Sequence, residues 1–172
     1  EYLPLLEKLE TKVLCQDVAS LTAVPMDRAG EWDTRDGKLI GRSDVMGSAG
    51  RLVENITDMH CQCRLRSEGA KRTGVMFRVA RRADNVVCGM AVWLDFVKQR
   101  VEIRFLMEYR PVGWGSYHTH TASGSDNDVH DYRRYGLETG RDYHLRFFVR
   151  DEHVEVYLDE QWMFSAVLPH MA

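Results

Sequence analysis

Long apolar runs are missing from this 172-residue sequence. No stretch approaches the roughly 18–20 residues that a membrane span requires. No cationic stretch followed by an apolar one opens the chain, so neither a membrane helix nor a signal peptide is expected. Cysteine is scarce: Cys15, Cys61, Cys63 and Cys88 make no persuasive disulfide framework in a chain of this length. Cys61 and Cys63 lie two apart in a strand-like run, so they share one face while His60 points the other way. That spacing is wrong for zinc thiolates, and two small apolar side chains are the better reading. Unpaired thiols suit a reducing compartment. Asn55-Ile56-Thr57 is a glycosylation sequon, relevant only in a secreting eukaryote. A surplus of positive charge is also lacking: the net charge of −3 and pI near 6.2 argue against a nucleic-acid binder. Lysine is rare, 5 against 18 arginines, and arginine is the better bidentate partner for carboxylates and polar ligands. What remains is ordinary, 44% apolar and 28% charged residues, and suits one folded soluble domain.

The first residues have a rhythm of their own. Leu3, Leu6, Leu9 and Val13 recur at helical spacing and Pro4 fits a first turn, so residues 1–16 are expected to form a short amphipathic linker helix. Residues 17–172 are expected to form one β-domain. Val75, Phe77 and Val79 alternate with Met76, Arg78 and Ala80; Val101, Ile103 and Phe105 with Arg100, Glu102 and Arg104. Met59, Cys61, Cys63 and Leu65, then Tyr143, Leu145, Phe147 and Val149, then Val154, Val156 and Leu158 repeat the pattern. Period two over so many runs predicts half-buried antiparallel strands. Turn residues separate them, among them Asp36-Gly37, Ser67-Glu68-Gly69, Asp151-Glu152 and Asp159-Glu160. The predicted fold is all-β, a two-sheet antiparallel β-sandwich. The stretch 109–131, rich in Gly, Ser, His and Asp, reads as a long surface loop.

Catalytic signatures are absent. Asp95, Glu102, Glu155 and Asp159 lie in or beside strands without forming an acid/nucleophile pattern, and pairing with the many arginines is their expected role. A hydrolase using Glu102 with Asp95 or Glu155 stays open as an alternative. His118, His120, Asp126, Asp128, His130 and Asp131 could approach a metal, but solvated loop residues of these types are commoner. Gly47-Ser48-Ala49-Gly50 and Gly113-Trp114-Gly115 lack the strand-to-helix setting of a phosphate loop, and no Gly-x-Ser-x-Gly elbow occurs. No catalytic residue, metal or cofactor is assigned.

A binding face is the remaining candidate. Arg64, Arg66, Arg78, Glu102, Arg104, His144 and Arg146 all point outward by alternation on their own strands. If those strands are neighbours, one sheet carries a polar, arginine-dense face. Such groups bond sugar hydroxyls while an aromatic ring covers the apolar side of the sugar, and Trp93, Trp114, Tyr117 or Tyr132 could supply that ring. The predicted ligand-binding set is Arg64, Arg78, Glu102, Arg104, Arg146, Trp114 and Tyr117. Being outward, Arg104 and Arg146 are expected to be exposed and dispensable for folding. The plainer alternatives are a solvated face or a purely packing module.

The strands from Tyr143 to Arg150 and from His153 to Asp159, followed by Phe164-Ser165-Ala166, resemble the last strands of the C-terminal β-sandwich of family 32 glycoside hydrolases. Gly30-Glu31-Trp32, Asp36-Gly37 and the run Gly74-Val75-Met76-Phe77-Arg78 resemble the front half of concanavalin-like jelly rolls, related fructan-binding modules included. The resemblance extends over residues 32–168. It implies an accessory module joined by the leading helix to an upstream catalytic propeller, with carbohydrate, fructosyl-containing sugars included, as ligand. Nucleic acid and membrane are not expected partners.

Overall fold

The computed structural model describes residues 24–25, 30–36, 38–43, 50–51, 58–81, 87–109 and 129–168. The expected helix over 1–16 and residues 110–128 of the expected loop, with Trp114, Tyr117, His118, His120, Asp126 and Asp128, lie outside them. The described strands are β1 (Val24–Pro25), β2 (Gly30–Arg35), β3 (Lys38–Ser43), β4 (Gly50–Arg51), β5 (Met59–Arg66), β6 (Arg72–Arg81), β7 (Val87–Asp95), β8 (Arg100–Tyr109), β9 (Val129–Arg134), β10 (Asp142–Arg150), β11 (His153–Leu158) and β12 (Gln161–Val167). Two four-stranded antiparallel sheets, in the orders β12-β11-β10-β5 and β6-β7-β8-β9, form the predicted sandwich. The β2–β3 hairpin and the β1–β4 pair stand apart from these two sheets.

Alternation selects the core. Phe77, Met90, Val92, Leu94, Val101 and Ile103 from one sheet meet Tyr143, Leu145, Phe147, Val149, Val154 and Val156 from the other. The Phe77 and Phe147 rings meet at 5.4 Å. Cys61 and Cys63 pack against this core beside Met59 and Leu65, as their spacing on β5 requires. At one margin the sheets are stitched by side chains: Arg133 on β9 donates to Trp162 O of β12 at 2.7 Å, and His130 lies 2.7 Å from Val167 O.

Tight turns close the hairpins. Asp159 and Glu160, at φ 48° and 63°, join β11 to β12 in the left-handed pair that suits the twist of the flanking strands. The Asp159 carboxylate accepts from the His144 amide at 2.9 Å and from Arg141 at 2.7 Å, fixing that turn to β10. Gln99, at φ 54°, ends the turn between β7 and β8. Its side-chain amide donates to Phe96 O and Leu137 O and accepts from Leu137 N.

Candidate functional site

The outer face of the β6-β7-β8-β9 sheet is built in cross-strand rows, because directly paired residues share a face. One row runs Arg72, Asp95, Arg100, Arg134; the next runs Gly74, Trp93, Glu102, Tyr132; a third includes Met76, Ala91 and Arg104. Glu102 sits at the centre. Its Oε2 accepts from Arg100 Nε at 2.6 Å, and its Oε1 accepts from Arg104 Nε. The Arg100 guanidinium stacks 4.6 Å from the centre of the Tyr132 ring, and that of Arg72 lies 5.6 Å from the Trp93 ring. Beside Trp93 the backbone of Gly74 is bare and exposed. A Cβ there would come 2.0 Å from Val92 O and 2.8 Å from Trp93 Cδ1, so any larger residue would disturb the strand pair and the indole together.

Asp95 organises one end. Its Oδ2 accepts from Arg72 at 2.7 Å, and its Oδ1 accepts from the amides of Val97 and Lys98 at 3.0 and 2.8 Å. Burial alone would raise this carboxyl, but Arg72 and the two amides outweigh it and hold the group below its ordinary range. A depressed folded-state pKa adds stability that is present above about pH 4 and is lost as pH falls through the folded value. Asp95→Asn keeps the carbonyl acceptor for both amides but removes the charge. Comparing urea midpoints from pH 7 to pH 2, the variant should be the less stable at neutral pH, and its deficit should shrink below pH 4.

Exposure on this face departs from the reading by alternation. Glu102 and Arg104 do point away from the core, yet both are 0% exposed, and Arg100 and Asp95 are buried beside them. Facing outward on a strand therefore does not mean reaching water. The accessible surface is Gly74, the half-buried Trp93 and Arg72, the exposed Arg134, and Tyr132 at 50% exposure.

The predicted residues do not all gather here. Arg64 and Arg146 lie on β5 and β10 of the other sheet, with His144 and Gln62, whose side chains meet at 2.8 Å. Arg146 is half-buried; its guanidinium stacks over Tyr157 at 4.6 Å and Phe148 at 5.6 Å. Phe148, Glu155 and Tyr157 point off the core as well and are buried. Burial and Arg146 hold His60 below the usual imidazole range, and its ring stacks on Phe148 at 4.2 Å. Arg78 is redirected. The strand irregularity between Phe77 and Ala80, with Arg78 at φ 49°, turns its guanidinium to Asp58 and Asp151 O at an end of the opposite sheet. Expected partners on one face thus divide into the Glu102–Arg104 pair, the Arg64 and Arg146 face, and an inter-sheet clamp. The alternation on β8 already marked Arg100, and the aromatic survey marked Trp93 and Tyr132. Arg72 and Arg134 escaped notice because only strand pairing brings them alongside.

A two-sheet β-sandwich with an aromatic and arginine-lined patch on one outer face is the class of molecule these observations define. No protein-family model and no curated protein matches the sequence. Among solved structures, the chain is similar to the carbohydrate binding module CBM66 from Bacillus subtilis, with a TM-score of 0.64 at 16% identity. The alignment covers 86% of this chain and 81% of that chain. The likeness is one of fold.

Proposed function

We propose that this chain is a non-catalytic carbohydrate-binding module and that a sugar ring lies over Glu102 between Trp93 and Tyr132, with Gly74 leaving the far side of Trp93 open. The observation that carries this reading is the pair of accessible aromatic rings flanking a buried Arg100–Glu102–Arg104 triad beside a residue without a side chain. A sugar offers apolar C–H surface to a ring and hydroxyls to charged groups at its edge. Arg72 and the margin of Arg100 supply the polar contacts, while Glu102 and Arg104 hold Arg100 in place from beneath. The shared fold with a carbohydrate binding module supports the reading.

Hydrolysis is the weaker alternative. Both Glu102 oxygens accept from guanidiniums and both Asp95 oxygens are occupied, while Glu155 lies on the other sheet with Tyr157 Oη against it at 3.1 Å. Neither carboxylate of the patch is placed to pass a proton to a glycosidic oxygen. The strand resemblance to family 32 glycoside hydrolases makes an upstream catalytic domain the proposed partner and fructosyl polymers the first ligands to titrate. Calorimetric titration with levan, inulin and a panel of unrelated glycans should give heat with at least one of them. Absence of heat with every glycan would leave a packing module in its place.

A further inference from the structure

The row Gly74, Trp93, Glu102, Tyr132 crosses four strands in register, from β6 through β7 and β8 to β9. Neighbouring strands lie roughly 4.7–4.9 Å apart, so positions on β7 and β9 stand roughly 9–10 Å from each other. An extended glycan advances by about one such interstrand step per sugar unit, so three linked units cover the span from Trp93 to Tyr132. Both ends of the row reach water. Gly74 is exposed and carries no side chain, and Tyr132, on the outermost strand of its sheet, is 50% exposed. Between the two rings Glu102 is wholly buried and held by Arg100 and Arg104, which gives the row a floor. A parallel row on the same face sets the half-buried Arg72 and the exposed Arg134 along one flank.

We infer that the site takes internal units of an extended, β-linked glycan whose chain runs across the strands, with one unit at Trp93, one over Glu102 and one at Tyr132. This rests on the carbohydrate-binding reading and narrows it from sugars in general to chains of at least three units. Each ring offers its apolar surface to the C–H groups of one unit, and the flanking arginines meet hydroxyls along the chain. A site for a chain end would close around that end. Here the chain leaves over Gly74 on one side and over the margin of β9 on the other. Gly74 keeps the first exit open, since a side chain there would rise against the Trp93 ring.

The test titrates the full chain with cello-, xylo- and manno-oligosaccharides from monosaccharide to hexasaccharide, beside oligosaccharides of inulin and levan. In at least one extended series affinity should rise by roughly 10- to 100-fold from monosaccharide to trisaccharide, up to about tenfold for each ring engaged. The rise should be complete by the tetrasaccharide. A bulky group on the reducing end of the hexasaccharide should leave its affinity unchanged, because the chain passes through the site. Tyr132→Ala, checked for folding by circular dichroism, should bind the trisaccharide no more tightly than the unaltered protein binds the disaccharide, and Tyr132→Phe should retain the full rise. A monosaccharide that binds as well as the trisaccharide, or binding lost on capping the reducing end, would overturn the inference and leave the carbohydrate reading intact. So would a rise that continues to the hexasaccharide, binding confined to the fructans, or an unaltered length dependence in Tyr132→Ala. No heat with any glycan would remove both.

Discussion

Glu102→Gln should lower the unfolding free energy by about 3–5 kcal/mol, the usual cost of removing one member of a buried ion network. Glu102 is wholly buried and bridges Arg100 and Arg104, so neutralising it removes the carboxylate that the two guanidiniums share. Arg104→Ala should cost a comparable amount, because it empties the space of a fully buried side chain and leaves Glu102 with Arg100 alone. Urea denaturation of each single variant and of the double variant checks this. The double variant should lose clearly less than the sum of the two, since the partners share one interaction. Single-variant losses below about 0.5 kcal/mol, the range of ordinary surface changes, would contradict the burial described here. Arg146→Ala belongs to the same set, because its guanidinium stacks on Tyr157 and Phe148 instead of standing in water.

Trp93→Ala should abolish glycan binding, weakening it at least 100-fold. An aromatic ring in a binding patch supplies most of the apolar contact, and truncating such an anchor commonly costs 2–4 kcal/mol of affinity. The ring also positions the Arg72 guanidinium 5.6 Å from its centre, so its loss loosens a polar contact as well. Tyr132→Ala removes the opposite wall and should weaken binding less, since that ring is half-exposed before ligand arrives. Isothermal titration on folded samples, checked by circular dichroism, separates these effects from unfolding. Unchanged affinity in Trp93→Ala would move the ligand to another surface.

The strands were legible in the sequence because their side chains obey period two. Val101, Ile103, Tyr143, Leu145 and Phe147 face the core as their spacing demands. The turns at Asp36, Asp151 and Asp159 were legible too, each being a residue type that tolerates the left-handed region. What the pattern does not contain is adjacency. Nothing local says that Arg72 lies beside Asp95, or that Arg64 and Arg104 belong to different sheets. Alternation also reports direction and not depth, which is why Arg104, which is wholly buried, was expected to be exposed. The irregularity at Arg78 breaks the period within a run whose sequence alternates without interruption. Trp93 stood out as a candidate ring, but its neighbours Gly74 and Glu102 become meaningful only once β6, β7 and β8 are aligned.

The stitching between β9 and β12 has a bearing on how such a module behaves at high local concentration. Backbone oxygens along a lateral strand invite a foreign strand to zip alongside and seed fibrils. Here Trp162 and Val167 already have their carbonyls engaged by Arg133 and His130. Two of the acceptors that a foreign strand would need on that flank are therefore already taken.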